Sequence, residues 1–340
     1  MPKKFFRLLF IAVGCVQNSG NMQNISEDRF TPRYQLKAAV LFLVFNRPDT
    51  TKRVFEAIRK AKPPRLYVAA DGPRSDKPGE AEKCDQVRNI AMQVDWNCEL
   101  KTLLRDKNLG CGKAVSNAIE WFFNSEEEGI ILEDDCLPNQ SFFWFCQELL
   151  KKYKSDCRVM HINGNNFNAP VNQIISEENH SSYYFGSFAQ AWGWASWRRA
   201  WKKFDYKIQT WSHCKRRGLL LNKFPNIGAY LEKSLHFDAV YAGGLDTWDY
   251  QWQYAVLIND GLVIVPHTNL VSNIGYGDDS THLKDFDRKR NNLKTKNIDF
   301  PLKHPSHLKA EKSLNYHYAT HMGMKPRIKK IPSYLVSYFK

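Results

Sequence analysis

Paired cysteines, modular linkers and membrane-length apolar runs are all missing from this 340-residue sequence. Its eight cysteines (Cys15, Cys84, Cys98, Cys111, Cys136, Cys146, Cys157 and Cys214) form no CxxC pair and no finger spacing. That excludes a zinc ribbon and a small disulfide scaffold. Several, Cys146 among them, lie inside apolar patterns and read as reduced core residues of a cytoplasmic protein. No internal repeat and no Ser-rich linker divides the chain, and no RNP-like motif is present, so nucleic acid is not an expected partner. The one leader-like stretch, Leu8 to Val13 after Lys3, Lys4 and Arg7, is far too short to span a bilayer. It is also shorter than the roughly 7–15 apolar residues of a secretory leader. Residues 1–36 are therefore expected to be a polar extension, with a truncated leader, or a start at Met22, as the alternative.

What is present is the composition of a folded domain, 43% apolar and 25% charged. Aromatics reach 14%, with ten Trp, and many are clustered. Such rings serve cores, and their flat apolar faces also dock sugars. The formal charge of +14 suits an anionic ligand or an anionic membrane surface. The excess concentrates from Lys202 to Arg217 and from Lys284 to Lys340.

From Lys37 onward, apolar runs alternate with helical patterns, which predicts an α/β fold with a mostly parallel sheet flanked by helices. Ala38 to Phe45 is unbroken, as a strand buried on both faces must be. Asn46-Arg47-Pro48-Asp49-Thr50 turns the chain, and Asp49 or Thr50 can cap a helix carrying Val54, Ala57, Ile58 and Ala61. Leu66 to Ala70 is a second strand ending at Asp71-Gly72-Pro73, followed by a charged helix near 79–93. A third strand covers Cys98 to Leu104, and Asn108 to Lys113 is a turn opening a helix through Ala114, Ala118, Ile119 and Phe122.

The fourth strand, Gly129 to Leu132, ends in three consecutive carboxylates, Glu133-Asp134-Asp135. Packing that much negative charge beside a buried strand is costly unless a cation compensates it. A hard divalent ion, Mg2+ or Mn2+, itself bound to phosphate oxygens, is one such compensation. An ordinary acidic turn is the plain alternative. Asn46-Arg47, Asp71 and the acidic triplet all stand at strand ends, which in a parallel sheet lie along one edge. Arg47 alone also fits a surface charge, Asp71 a turn residue and Lys113 a solvated helix residue. Together they favour a nucleotide pocket.

The second half is less regular. Ser141 can start a helix with Phe142, Phe145, Cys146 and Leu149 inward, and Arg158 to Gly164 reads as a strand. Ala191-Trp192-Gly193-Trp194 can form an aromatic wall for a sugar or a tryptophan-rich core corner, and both readings stand. Leu245 to Trp252 opens a helix, with Asp246 or Thr247 as its cap. Asp249 has the same first-turn explanation. Leu262 to Pro266 is a further strand, before a Gly-rich loop, Ser272 to His282, of the kind that closes over ligands.

With these residues in view, the chain resembles nucleotide-sugar glycosyltransferases of the GT-A fold, in particular the N-acetylglucosaminyltransferase I-like group and related bacterial surface-polysaccharide transferases. The likeness covers roughly residues 38–282. It rests on Arg47 after the first strand, Asp71-Gly72 after the second, Glu133-Asp134-Asp135 after the fourth, then Trp192-Gly193-Trp194 and the Trp248-Asp249 helix start. The resemblance implies that Arg47 and Asp71 contact the nucleoside, with Asn46 beside them and Lys113 near base or phosphate. Glu133 and Asp134 would face ribose and sugar, and Asp135 would bind the divalent metal, Mn2+ or Mg2+. Asp249 would match the catalytic base of inverting members, with Asp246 as its rival, and Asp279 and His282 would lie in a donor-covering loop.

The implied activity is an inverting, metal-dependent transfer of a hexosyl or N-acetylhexosaminyl group. The donor would be a nucleotide-diphosphate sugar, UDP-sugar favoured, and the acceptor a saccharide or lipid-linked saccharide of surface-polysaccharide synthesis. Residues 37–290 would form the catalytic domain and 291–340 a basic C-terminal segment. The lysines and the aromatic run Ile331 to Phe339 in that segment predict either a peripheral contact with the inner membrane face or a docked helix. Two other classes compete. A sugar-nucleotide pyrophosphorylase shares such a sheet but needs a Gly-rich loop where Asn46-Arg47-Pro48 stands. A non-enzymatic carbohydrate- or membrane-binding protein explains the aromatics and the basic tail, but not three acids at a strand end.

Overall fold

A computed structural model describes residues 30–168, 181–275 and 292–321. Its elements belong to one compact unit that begins at Pro32. The first half is β1 (Ala39–Val44), α1 (Pro48–Ala61), β2 (Arg65–Ala70), α2 (Glu80–Ala91), β3 (Glu99–Leu104), α3 (Cys111–Ser125), β4 (Glu128–Glu133), β5 (Cys136–Pro138) and α4 (Gln140–Lys152). The second is β6 (Val159–Asn163), β7 (Tyr183–Gly186), β8 (Trp194–Trp197), α5 (Arg198–Trp201), α6 (Trp211–Arg216), α7 (Ile227–Tyr241), α8 (Asp249–Ile258), β9 (Leu262–Pro266), β10 (Val271–Asn273) and α9 (Lys312–His321).

Eight strands form one sheet in the order β3-β2-β1-β4-β8-β6-β9-β7. The pairs from β3 through β4, and β6 with β9, are parallel, whereas β8 and β7 run against their neighbours. This is the mostly parallel, Rossmann-like α/β sheet that the alternating pattern predicts. All six residues of β1 are buried, because helices cover both faces of a parallel strand. The chain moves outward from β1 to β3 and then returns to place β4 on the other side of β1. That reversal puts a topological switch point at the carboxyl ends of β1 and β4, the place where open α/β sheets form a ligand crevice. The register pairs Leu43 with Glu133, so Phe45 to Arg47 and the acidic triplet face each other across it.

Local chemistry differs from the sequence reading at two helix starts. In α1, Pro48 occupies the first turn and no side chain caps the helix, so neither Asp49 nor Thr50 does so. Proline suits that position because its missing N–H would be unsatisfied there anyway. In α4 the cap is Asn139, whose side chain accepts from Ser141 N at 2.9 Å. Residues past 291 fold back on the sheet: Ala310 bridges Phe185, Glu311 N donates to Phe185 O at 2.8 Å, and Leu302 and Leu314 are buried. The tail containing Ile331 to Phe339 lies outside the described residues. Among the described residues no helix is long and apolar enough to cross a membrane. The seven cysteines from Cys84 to Cys214 are unpaired thiols, and four of them are buried.

Behind the crevice stands an aromatic core. Trp194 is fully buried, stacked on His161 (4.9 Å between ring centres) and on Trp248 (5.6 Å). His161 accepts from Trp252 Nε1 at Nδ1 (3.0 Å), and its Nε2–H faces Gln190 O at 3.2 Å. Burial pushes the His161 imidazole down to about 3, against the pull of Asn163 and Gln190. Because the fold refuses a proton that the unfolded chain accepts, stability from this group is lost as pH falls below about 6.5 toward that value. His161 is expected to stay neutral at pH 5 in a ring-nitrogen NMR titration of the folded protein; an imidazolium appearing near pH 6.5 would contradict the buried assignment.

Candidate active site

Three acids and one guanidinium organise the crevice. Arg47 Nη1 lies 2.9 Å from Asp135 Oδ2 and 3.5 Å from Asp134 Oδ1. Phe45 N donates to the second oxygen of Asp134 at 3.1 Å, which fixes the turn against the end of β1. Burial and the Asp135 charge push the Asp134 carboxyl up to about 7, with Arg47 and the Phe45 amide pulling the other way. Desolvation and the charges of Asp135, Asp134 and Asp249 push Glu133 well above the usual carboxylate range. For Arg47, burial works against the charge, but Asp134, Asp135 and Glu133 outweigh it and raise the guanidinium. One cation therefore does not neutralise three carboxylates, and Glu133 and Asp134 hold protons more tightly than exposed acids do.

That imbalance is the test of whether a metal fits. Among the described residues no group of three or more His, Cys, Asp or Glu side chains is placed to hold an ion by itself. The donor set suits a hard divalent ion held by one carboxylate and completed by phosphate oxygens of a ligand, as Mg2+ commonly is. Asp135 is less buried than Asp134, with its Oδ2 paired to Arg47. It closes the turn into β5, where Ile274 N donates to its backbone carbonyl at 2.8 Å.

Asp71 is hydrogen-bonded to the backbone around it. Its carboxylate accepts from Gly72 N at 3.0 Å and from Leu109 N at 3.0 and 3.1 Å. It thereby pins the loop after β3 to the end of β2. Gly72 permits this, since a Cβ there would lie 2.4 Å from the Lys107 backbone. Asn46 donates to Glu80 Oε1 at 2.9 Å, and Glu80 in turn binds Arg74. Lys113 is exposed on the first turn of α3.

The two candidate bases separate. Asp246 does not cap its own helix; its oxygens accept from Cys111 N and Gly112 N, both at 2.9 Å. It caps α3 from more than 130 residues away, with its charge set against the positive end of that helix. Asp249, the first residue of α8, accepts from Thr247 Oγ1 and is near enough to Glu133 to raise it. Asp249 also opposes the depression that burial imposes on Lys233, whose ammonium lies 4.7 Å from the Tyr250 ring centre. Sequence reasoning missed Thr247 as the partner of Asp249, and it missed Lys233; a lone lysine in a helix carries no signal of facing an acid.

The aromatic wall is corrected by the fold. Trp194 is wholly interior, where its ring completes the core and no dissolved sugar reaches it. Trp192 is half-buried, with its ring edge-on to Phe167 at 5.0 Å. Asp279 and His282 lie outside the described residues. Asp246→Ala is expected to cost about 1–2 kcal/mol, the usual loss for an N-cap acid. Urea unfolding measures it, and an unchanged midpoint would contradict the capping role.

No family model matches the sequence, and a search of curated proteins found no match. Among solved structures, the chain is similar to the mannosyltransferase PcManGT from Pyrobaculum calidifontis in complex with GDP-Man and Mn2+. There the TM-score is 0.32 and the identity 15%, over 48% of this chain and 45% of that one. A UDP-glucose pyrophosphorylase complexed with UDP-glucose matches at TM-score 0.26 and 13% identity, over 46% of this chain and 64% of the other. Mouse xyloside xylosyltransferase 1 matches at 0.30 and 9%, over 65% and 81%. The chain thus spans less than half the length of the mannosyltransferase. At TM-scores near 0.3 these likenesses carry no assignment.

Proposed function

We propose that the protein is an inverting, metal-dependent glycosyltransferase. It would move a hexosyl or N-acetylhexosaminyl group from a nucleotide-diphosphate sugar, UDP-sugar favoured, to a saccharide or lipid-linked saccharide of surface-polysaccharide synthesis. The observation that carries this reading is the under-neutralised acid group at the end of β4, facing a separate carboxylate, Asp249, at the start of α8. A cation-completed acid site binds a diphosphate, and a second acid across the crevice acts on the opposite face of the sugar.

Bound at Asp135, a divalent ion would supply Lewis-acid neutralisation of the departing diphosphate. Arg47 holds Asp135 and Asp134 in register for it. Asp71, through the loop it pins, fixes the mouth of the crevice where Asn46 and Lys113 stand for the nucleoside and phosphates. Asp249 accepts the proton of the acceptor hydroxyl at a carboxylate oxygen as that hydroxyl attacks in line. Its place in the first turn of α8 and the Thr247 hydroxyl orient that carboxylate. Asp246 is not the base in this scheme, because both its oxygens already serve α3.

Asp249→Asn keeps the size of the side chain and removes its basicity. Single-turnover transfer from a UDP-sugar screen should fall by about 10²–10⁴-fold, with nucleotide affinity within about twofold. Near-normal turnover in this variant would sink the assignment of the base.

A further inference from the structure

One wall of the molecule is, apart from Lys113 at its end, unused by the chemistry above. Lys113, Asn117 and Glu120 recur at helical spacing on one face of α3, and that face lines a groove of about 640 Å³. From Lys113 to Asn124 the helix rises roughly 16 Å, long enough for several linked sugar rings. The Lys113 end lies at the start of α3, next to Cys111, whose thiol is raised by burial and by the charges of Glu133 and Asp249. A Cβ on Gly112 would stand 2.6 Å from Tyr206 Oη, in the groove, and 2.8 Å from Asp246 Oδ1, at the start of α3.

The floor and the charge both select a ligand. Phe204 is half-exposed and lies flat on Trp201, with ring centres 4.3 Å apart and planes within 10°. Such a ring offers the apolar face that a sugar stacks on. Lys113 and Lys202 are exposed, and among the described residues neither has a salt-bridge partner. The Arg198 guanidinium donates to the carbonyls Phe123 O and Glu126 O. Against these three cations the groove sets one acid, Glu120. A second groove of about 490 Å³ shares Arg198 and Lys202 and extends the basic tract through Lys203 and Arg199.

We infer that this groove seats the acceptor, and that the acceptor is an anionic saccharide bearing carboxylate or phosphate groups. The identification as acceptor rests on the glycosyltransferase reading; the binding itself does not. Aromatic stacking selects the sugar rings, and the tract from Lys113 through Lys202 to Lys203 selects their charge.

Calorimetric titration of the full chain with trigalacturonic acid tests this without donor or metal. Binding is expected, weakening as salt rises. It should fall by about tenfold or more in Lys202→Glu, while Lys60→Glu, a charge reversal on α1, leaves it unchanged. Neutral galactotriose should bind about tenfold more weakly or worse, and sulfate at matched ionic strength should not displace the trisaccharide. Equal binding of galactotriose, an unaltered Lys202→Glu, or displacement by sulfate would each overturn the inference. UDP binding with Mn2+ is measured in parallel. Its loss beside intact trigalacturonate binding would count against the glycosyltransferase reading alone, and the reverse result against the groove alone.

Discussion

Arg47 facing Glu133, Asp134 and Asp135 is the interaction on which the site depends. The parallel order β2-β1-β4 brings the end of β1 against the end of β4, and the reversal of strand order there leaves a crevice rather than a covered edge. Into that crevice the chain delivers three acids and one guanidinium. An exact match of charge would make a closed structural ion network. The mismatch, written in the raised Asp134 and Glu133, is what supports the proposal of a further cation there.

Around that centre, the acids divide by what already holds them. Asp71 is spent on backbone amides and shapes a loop, Asp246 is spent on the start of α3, and Asp249 is held by one hydroxyl. A carboxylate with both oxygens committed to amides is fixed in a structural role, whereas one oriented by a single hydroxyl keeps acceptor positions for a further partner. The same sorting applies to the aromatics. Trp194, stacked and interior, builds the core, whereas Phe204 is only half-buried and lines a groove with Lys113 and Lys202, neither of which has a salt-bridge partner among the described residues.

Much of this was legible in the sequence. β1, β2 and β4 are continuous apolar runs because both of their faces are covered, and the abrupt change to Arg47, Asp71 and Glu133 marks their ends. Other features were not. Asp246 has every local mark of a cap for α8, yet it caps a helix 135 residues earlier, and no local pattern encodes a partner so distant. The Trp-Gly-Trp segment is equally good as wall or core. Pairing of β8 between β4 and β6 decided the matter for Trp194 by placing Ile131 beside it. The strands β5 and β10, three residues each, are too short to show an alternation.

The central claim is that the end of β4 becomes a metal site when a nucleoside diphosphate supplies the remaining oxygens. Titration of free Mn2+ by electron paramagnetic resonance, with and without UDP, measures it directly. The account predicts weak Mn2+ binding alone, binding at least about tenfold tighter with UDP present, and loss of that coupling in Asp135→Ala with the fold retained. Mn2+ binding that is indifferent to UDP, or coupling that survives Asp135→Ala, would contradict it.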